Sequence, residues 1–276
     1  MVRSQMNRVL STLGFLSALV CTPHCATKDA DDSVASNEPD TVDHGVVLSA
    51  ATWSLGWKNE GVQFDAAGGF TLINDLGYTI HVDVGDLVLH RVALVPCSQK
   101  TAQRAIFPFV SINAAFAHEE ASDPSSIEAL ALSTVGDSEA TEIGANAFAP
   151  VRYCQAYWLV ARGMAGAFAN DGLDMSNRSI YFSGTWERDG QSGKLLIDTW
   201  WPMGTFADLK SITDAAVYEN ATKEDSVHFG WIKIDIALGK VFDGVDFAAD
   251  SEEIVADSVL DNIVATAELT ADFRTP

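Results

Sequence analysis

Histidines are the side chains of this chain best suited to binding a metal. Five of them follow residue 26, and they are widely spread: His44, His81, His90, His118 and His228. Soft and borderline metals such as copper favour imidazole ligands. The sequence has no His-x-His, His-Glu-x-x-His or Cys-x-x-Cys spacing, so any metal site needs ligands that folding brings together.

His118 is the first candidate ligand, because Glu119 and Glu120 follow it and a polar segment continues beyond them. His228 and His81 are the candidates for a second ligand. The alternative is that each histidine is a surface residue or one that is hydrogen-bonded locally.

Catalytic motifs are absent from the sequence. There is no Gly-x-Ser-x-Gly turn for a nucleophilic serine, and no pair of carboxylates is singled out by spacing. The sequence therefore predicts a protein that is not an enzyme and acts by binding.

The acidic run 243–252 offers oxygens to calcium, but it lacks the alternating Asp/Asn spacing of a calcium loop. A turn that leads into the acidic first turn of a helix is therefore favoured.

Two adjacent tryptophans, Trp200 and Trp201, form the second candidate site. The chain has seven tryptophans, and most are expected in the core. Adjacent residues of a strand face opposite sides of a sheet, so one of the pair is expected to be exposed. An exposed indole can stack on a sugar or anchor a protein partner.

The first 26 residues resemble a secretory signal. Arg3 and Arg8 precede an apolar run of about a dozen residues, which is too short to span a bilayer. Cleavage after Ala26 would give a soluble exported protein. Cleavage before Cys21 would give a lipoprotein anchored to the membrane through that cysteine. Residues 27–44 are polar and acidic, and they are predicted to be a disordered tether.

Export also determines how the cysteines are interpreted. Cys97 and Cys154 survive on either cleavage scheme, and a pair of cysteines in an exported protein usually forms a bridge. We therefore predict a Cys97–Cys154 disulfide in a periplasmic or cell-surface protein.

The formal net charge of −21 excludes one class of function. A field of this sign repels the phosphates of nucleic acids and attracts cations. Nucleic-acid binding is therefore not expected, although an acidic surface can also serve solubility alone.

The remaining residues, 45–276, show the period-two alternation of half-buried strands. Alternating stretches lie at 78–95, 151–161, 179–188, 194–201 and 227–238, and a turn at 187–193 predicts a hairpin. A bulge or bend is expected at Gly85 and Asp86. These features predict a single antiparallel β-sandwich domain.

Two segments depart from the alternation. Residues 121–150 are rich in Ser, Asp, Glu and Ala, and they are predicted to be a long loop with at most one short helix. Residues 251–264 begin with acidic residues and place Ile254, Val255, Val259, Ile263 and Val264 near one stripe. This pattern predicts a C-terminal helix.

The order of six short segments over residues 45–250 resembles the MbnP-like proteins, which are exported, copper-associated bacterial β-sandwich proteins encoded beside di-haem peroxidase-like partners. The segments are Asn-Asp-Leu-Gly-Tyr at 74–78, Pro-Cys at 96–97, Ala-His-Glu-Glu at 117–120, Arg-Tyr-Cys at 152–154, Ser-Ile-Tyr-Phe-Ser-Gly-Thr at 179–185 and Phe-Asp-Gly-Val-Asp-Phe at 242–247. The resemblance implies copper binding or handling and a di-haem peroxidase-like partner. It assigns no metal ligand to a position in this chain.

The copper hypothesis makes a prediction about pH. A protonated imidazole does not bind metal, so copper affinity should fall as the pH drops through about 6.5, the ordinary histidine pKa. Calorimetric titration should show a saturable copper site that His118→Ala weakens and the control His90→Ala retains. An unchanged affinity and stoichiometry in His118→Ala would show that the ligand assignment is wrong.

Overall fold

The structure, a computed structural model, describes residues 45–66, 68–98, 126–127, 131–134, 140–169, 172–223 and 226–275. The signal, Cys21, the tether and His118 lie outside these residues. Twelve strands lie within them: β1 (Val46–Lys58), β2 (Gln63–Phe64), β3 (Phe70–Ile73), β4 (Thr79–Pro96), β5 (Ser126–Ile127), β6 (Ala131–Thr134), β7 (Thr141–Val160), β8 (Ile180–Arg188), β9 (Gln191–Thr199), β10 (Met203–Asp208), β11 (His228–Ala237) and β12 (Ala267–Arg274). The helices of the described residues are α1 (Leu209–Ile212), α2 (Ala215–Lys223), α3 (Glu252–Ala265) and a 3-10 turn at Leu238–Lys240.

The described strands join into one mixed sheet. Its main path runs β12-β11-β1-β7-β4-β3-β2, while β5, β6 and β8 pair with β4, β9 with β8 and β10 with β7. The fold is mostly β, as predicted. Pairing is antiparallel throughout the described strands except between β1 and β11, which run parallel. These two strands are distant in sequence, and a parallel pair needs a long crossover instead of a hairpin.

The predicted hairpin is confirmed. Strands β8 and β9 pair from Ile180 opposite Thr199 to Arg188 opposite Gln191. The two residues between them have positive φ, with Asp189 at 51° and Gly190 at 79°. An Asp-Gly pair in this conformation makes the tight turn whose twist matches that of the strands.

Strand β4 changes partners halfway along its length. Residues 79–87 pair with β8, and residues 89–96 pair with β7. At the change the Val88 N–H donates to the Ser179 carbonyl (2.8 Å), and the Val88 carbonyl accepts from the Ala161 N–H (3.3 Å). A register shift between Val82 and Val84, beside the predicted bend, moves the inward face from even to odd positions, and a second shift between Leu89 and Arg91 returns it to even positions. The core-facing residues of β4 are Ile80, Val82, Leu87, Leu89, Val92 and Leu94.

The predicted disulfide is present. Cys97 directly follows β4, Cys154 lies within β7, and their Cα atoms are 4.8 Å apart. Gly45 lies against the bridge, and a Cβ atom there would collide with the Cys97 Sγ atom. The two cysteines are separated by 57 residues, so the bridge removes about 4 kcal/mol of loop-closure entropy from the unfolded chain in the chain-entropy model.

The loop prediction for 121–150 is wrong within the described residues. Strands β5 and β6 lie in this segment, and β7 begins at Thr141. Residues 141–153 pair antiparallel with β1, although residues 141–150 are poor in the β-branched and aromatic types that favour strands. Pairing with a buried neighbour has overridden local propensity.

The predicted helix is confirmed as α3. The Ser251 side chain accepts a hydrogen bond from the Ile254 N–H and caps the helix. The predicted apolar stripe was wrong for one residue, since Ile254 is 52% exposed, whereas Val259 and Leu260 are fully buried. The chain also continues beyond the helix into β12, which pairs with β11.

Asn74 joins two distant turns and is almost completely buried. Its Nδ2 atom donates to the carbonyls of Phe242 and Val245, both at 3.0 Å. Its Oδ1 atom accepts from the N–H groups of Leu76 (3.1 Å) and Tyr78 (2.9 Å). Both N–H donors and both carbonyl lone pairs of the side-chain amide are therefore used. We call this set of bonds the Asn74 clamp.

The acidic run after β11 is a turn, as favoured above. The Asp75 Oδ1 atom accepts from the Gly244 N–H (2.6 Å), and the Asp243 Oδ1 atom accepts from the Asp75 N–H (3.3 Å). The Tyr78 hydroxyl donates to Asp246, which holds the pKa of that carboxyl below its ordinary value. Burial raises the pKa of Tyr78, and the same hydrogen bond raises it further. These carboxylates therefore fix backbone and hydroxyl donors.

Removing the Asn74 clamp should destabilise the protein. Asn74→Ala leaves buried carbonyls and N–H groups without partners, so we expect the free energy of unfolding to fall by about 3 kcal/mol. The control Asp75→Ala, in the same turn but exposed, should cost under about 1 kcal/mol. Urea unfolding followed by circular dichroism measures both, and equal losses would contradict the central role of Asn74.

Asn74→Asp should make stability depend on pH. The new side chain keeps its acceptors, but its ionised form faces two carbonyl oxygens, which raises the folded-state pKa of the carboxyl above its ordinary value of about 3.9. A raised pKa means that stability is present at low pH and lost as the pH rises through the folded-state pKa. Relative to the wild type, the variant should therefore lose stability between acidic and neutral pH. A loss that is the same at both would rule out this geometry.

Candidate functional site

Two chain connections leave the sheet where β4 changes partners. Strand β7 ends at Val160 opposite Met203, where β10 begins, and β8 begins at Ile180 opposite Thr199, where β9 ends. Both pairs lie beside the centre of β4. The connections 161–179 and 200–202 therefore emerge at one place, which we call the corner.

The described part of the longer connection is folded back on itself. The Gly163 N–H donates to the Arg178 carbonyl and the Asn177 N–H donates to the Gly163 carbonyl, both at 2.9 Å. The Met175 N–H donates to the Ala167 carbonyl (2.8 Å). Ala167, Ala169 and Met175 form a buried cluster with Val88. The connection is thus packed onto the residue at which β4 changes partners.

Arg178 ties this connection to the end of β9. Its Nε atom lies 3.0 and 3.1 Å from the two carboxylate oxygens of Asp198, and its Nη1 atom donates to the Asp174 carbonyl at 2.6 Å. Its guanidinium lies 5.2 Å from the centre of the Tyr181 ring. Hydrogen bonds from Ser176 hold the pKa of Asp174 below its ordinary value. The charged groups at the base of the corner are therefore engaged with one another.

Trp200 and Trp201 stack on each other at the corner. Their ring centres are 4.5 Å apart and their planes differ by 18°. Trp200 is 52% exposed and Trp201 is 45% exposed. The expectation that only one of them is exposed was wrong, because β9 ends at Thr199 and its alternation ends with it.

Two further exposed apolar residues lie on the longer connection of the corner and belong to no motif of the sequence. Met164 and Phe168, on the folded connection, are 50% and 57% exposed. Neither residue lies in one of the alternating segments of the sequence, so their exposure is evident only from the fold. The corner therefore presents four large apolar side chains to solvent.

The candidate metal ligands are not assembled within the described residues. The His81 Nδ1 atom lies 3.0 Å from the Thr71 hydroxyl, and its Nε2 atom lies 3.2 Å from an Asp83 oxygen. His228 is buried, and its Nε2 atom lies 3.0 Å from the Ser226 hydroxyl. Strands β4 and β11, which carry the two histidines, are not neighbours. No group of three or more His, Cys, Asp or Glu is placed to hold a metal in the part of the chain that the structure describes.

His81 instead lines a groove on the outer face of the sheet. Thr71, His81, Thr185 and Lys194 lie side by side across β3, β4, β8 and β9. The groove has a volume of about 610 Å³. Its hydroxyl and charged side chains match the outward, solvated face of a half-buried sheet.

The tryptophan pair should contribute little to stability, since both rings are exposed. Trp200→Ala with Trp201→Ala should change the free energy of unfolding by under about 1 kcal/mol. Met175→Ala, which empties a fully buried position beneath the corner, should lower it by about 3 kcal/mol. Urea unfolding tests both, and a loss above about 2 kcal/mol in the double variant would indicate a structural role for the pair.

Comparison with known proteins gives no match to this chain. No protein-family model, no curated protein and no solved structure matches it. Among the described residues, no helix is both long and apolar enough to cross a membrane.

Proposed function

We propose that this chain is an exported, non-catalytic binding protein of the cell envelope, and that the corner around Trp200 and Trp201 is its contact surface. The observation that carries the proposal is the stacked pair of half-exposed indoles. Single exposed apolar residues are common on protein surfaces. Two adjacent, stacked and half-exposed aromatic rings form an apolar surface of the kind that marks binding sites, and Met164 and Phe168 are exposed on the other connection of the corner.

The other tryptophans show that this chain can bury indole rings. Trp53 and Trp158 are almost completely buried in the core. Trp186 packs edge-on against Tyr78, with ring centres 5.5 Å apart. Because Trp200 and Trp201 are half exposed, they do not gain the full free energy of apolar burial that the buried tryptophans gain. That loss is offset if a partner covers them.

The corner is also preorganised for binding. The connection beneath it is hydrogen-bonded to itself, packed on Val88 and tied to Asp198 through Arg178. The two rings already lie in a stacked arrangement. A ligand that binds here would order few side chains, and this lowers the entropic cost of association.

Export is supported by the signal-like first 26 residues and by the cysteine geometry. The Cys97–Cys154 pair is at bonding distance, and such bridges persist in oxidising compartments such as the bacterial periplasm or the cell surface. Soluble export and anchoring through a lipid on Cys21 are the two alternative forms of this proposal.

Copper handling is the second candidate. Its support is the order of the MbnP-like segments, the acidic charge that concentrates cations, and the position of His81 next to the Asp83 carboxylate. Two of those segments, 74–78 and 242–247, lie in contact through the Asn74 clamp. A di-haem peroxidase-like partner belongs to this candidate.

The contact surface can be tested with a ligand panel. Neutral oligosaccharides and basic, neutral and acidic peptides would be titrated into the wild type and the Trp200→Ala/Trp201→Ala double variant. We expect at least one class to bind the wild type and to lose about tenfold or more in affinity in the double variant.

Trp231→Ala is the matched control. Trp231 is 40% exposed on another strand, β11, and an arginine covers it, so its removal should leave binding unchanged. If every ligand bound by the wild type binds the double variant equally well, the corner is not the contact surface.

A further inference from the structure

We propose that the Trp200–Trp201 pair binds a cationic side chain, an arginine above all, from a basic peptide segment of a partner. This inference rests on the proposed function of the corner and names the chemistry of its ligand. Three observations support it. Arginines lie against other aromatic rings of the fold, the chain is strongly acidic, and polar groups beside the pair already form hydrogen bonds within the protein.

Arginines cover aromatic rings at three places in the described structure. Arg188 lies 4.6 Å from the centre of the Tyr78 ring, Arg274 lies 4.7 Å from that of Trp231, and Arg178 lies 5.2 Å from that of Tyr181. A cation within about 6 Å of a ring centre is attracted by the ring quadrupole, most strongly for tryptophan. None of the cation–ring contacts among the described residues involves Trp200 or Trp201, and both of these side chains are about half exposed.

The charge of the chain favours a basic partner. The sequence has 17 Lys and Arg residues against 38 Asp and Glu residues. Its own cations are therefore scarce, and its field attracts positive ligands over the distance of the screening length. Electrostatic attraction would speed encounter, and the tryptophans would supply the local contact.

The polar groups next to the pair are already engaged. Arg178 and Asp198 bond to each other. The Ser179 hydroxyl donates to the Thr199 carbonyl (2.9 Å), and the Thr199 hydroxyl oxygen accepts from the backbone N–H of Trp201 (3.4 Å). A hydroxyl-rich sugar needs fixed polar partners as well as a stacking ring, whereas a guanidinium can bind by lying flat on an indole.

The stacking geometry leaves room for such a contact. With centres 4.5 Å apart and an interplanar angle of 18°, the inner faces of the two rings cover each other. The solvent-exposed area of the two indoles therefore lies away from their mutually covered inner faces. A planar guanidinium on an outer face would extend the existing stack by one layer.

The test compares four probes by calorimetric titration: hexa-arginine, hexa-lysine, a hexa-citrulline peptide of the same shape without charge, and a neutral gluco-oligosaccharide. We expect a saturable site for hexa-arginine, weaker binding of hexa-lysine, and no binding of the other two. The double variant Trp200→Ala/Trp201→Ala should bind hexa-arginine about tenfold more weakly. Trp200→Phe/Trp201→Phe should lie between the two, since phenyl rings hold cations less well, and Trp231→Ala should match the wild type.

Titration at high salt distinguishes contact of hexa-arginine with the tryptophans from its general attraction to the acidic surface. At about 1 M salt the screening length falls to about 3 Å, so attraction to the acidic surface weakens while the ratio between wild type and double variant should persist. Equal hexa-arginine binding by the wild type and the double variant would overturn the inference, because the acidic surface alone would then explain it.

The panel distinguishes the two levels of the proposal. Oligosaccharide or citrulline binding that depends on the tryptophans would overturn the cation inference and leave the corner as the contact surface. Binding of no probe, or no dependence on the tryptophans for any probe, would count against both. Circular dichroism and urea unfolding of each variant would show that it is folded.

Discussion

Strand β4 passes from β8 to β7 at Val88, and the described structure is arranged around that exchange. The Val88 N–H bonds to the residue before β8, and its carbonyl bonds to the residue after β7. The first half of β4 therefore pairs with β8, and its second half pairs with β7. Because β7 and β8 meet end to end along β4, the connections that leave them must emerge at the same place. The corner is thus a consequence of backbone pairing before any side chain is considered.

The second organising feature is the use of carboxylates and amides to hold turns. Asn74 bonds two carbonyls of a turn that lies far along the chain, and Asp75 and Asp243 accept backbone N–H groups across the same boundary. The carboxylates of this acidic region, whose composition is similar to that of a calcium loop, therefore accept hydrogen bonds from the protein itself. Buried backbone groups need partners, and this region obtains them from side chains because it has no regular strand.

Aromatic side chains divide into three roles in this fold. Trp53 and Trp158 fill the core. Tyr78 and Trp231 lie under arginines. Trp200 and Trp201 do neither, since they lie beyond the end of a strand, where the sheet no longer directs alternate residues inward. Contact with a partner is the role that remains for them under the proposals above, and the strong acidity of the chain makes a basic partner the natural complement.

The histidines illustrate why sequence alone did not define a metal centre. His81 and His228 both lie in alternating segments, as their sequence context indicated, yet they are carried by β4 and β11, which do not pair. Spacing along a chain fixes which face of a strand a residue occupies. It does not fix which strands become neighbours, since that depends on pairing between segments far apart in sequence.

Local chemistry by itself determined the hairpin at Asp189 and Gly190, the helix capped by Ser251 and the pairing of two cysteines, because each depends on residues whose type dictates a turn, a cap or a bond. Tertiary structure decided what local patterns do not encode. Parallel pairing of β1 with β11 and the strand conformation of residues 141–150 come from distant partners. Exposure of both Trp200 and Trp201 depends on where β9 ends, which is set by the partners available to it. Alternation is a property of neighbouring residues, whereas partner choice is a property of the whole sheet.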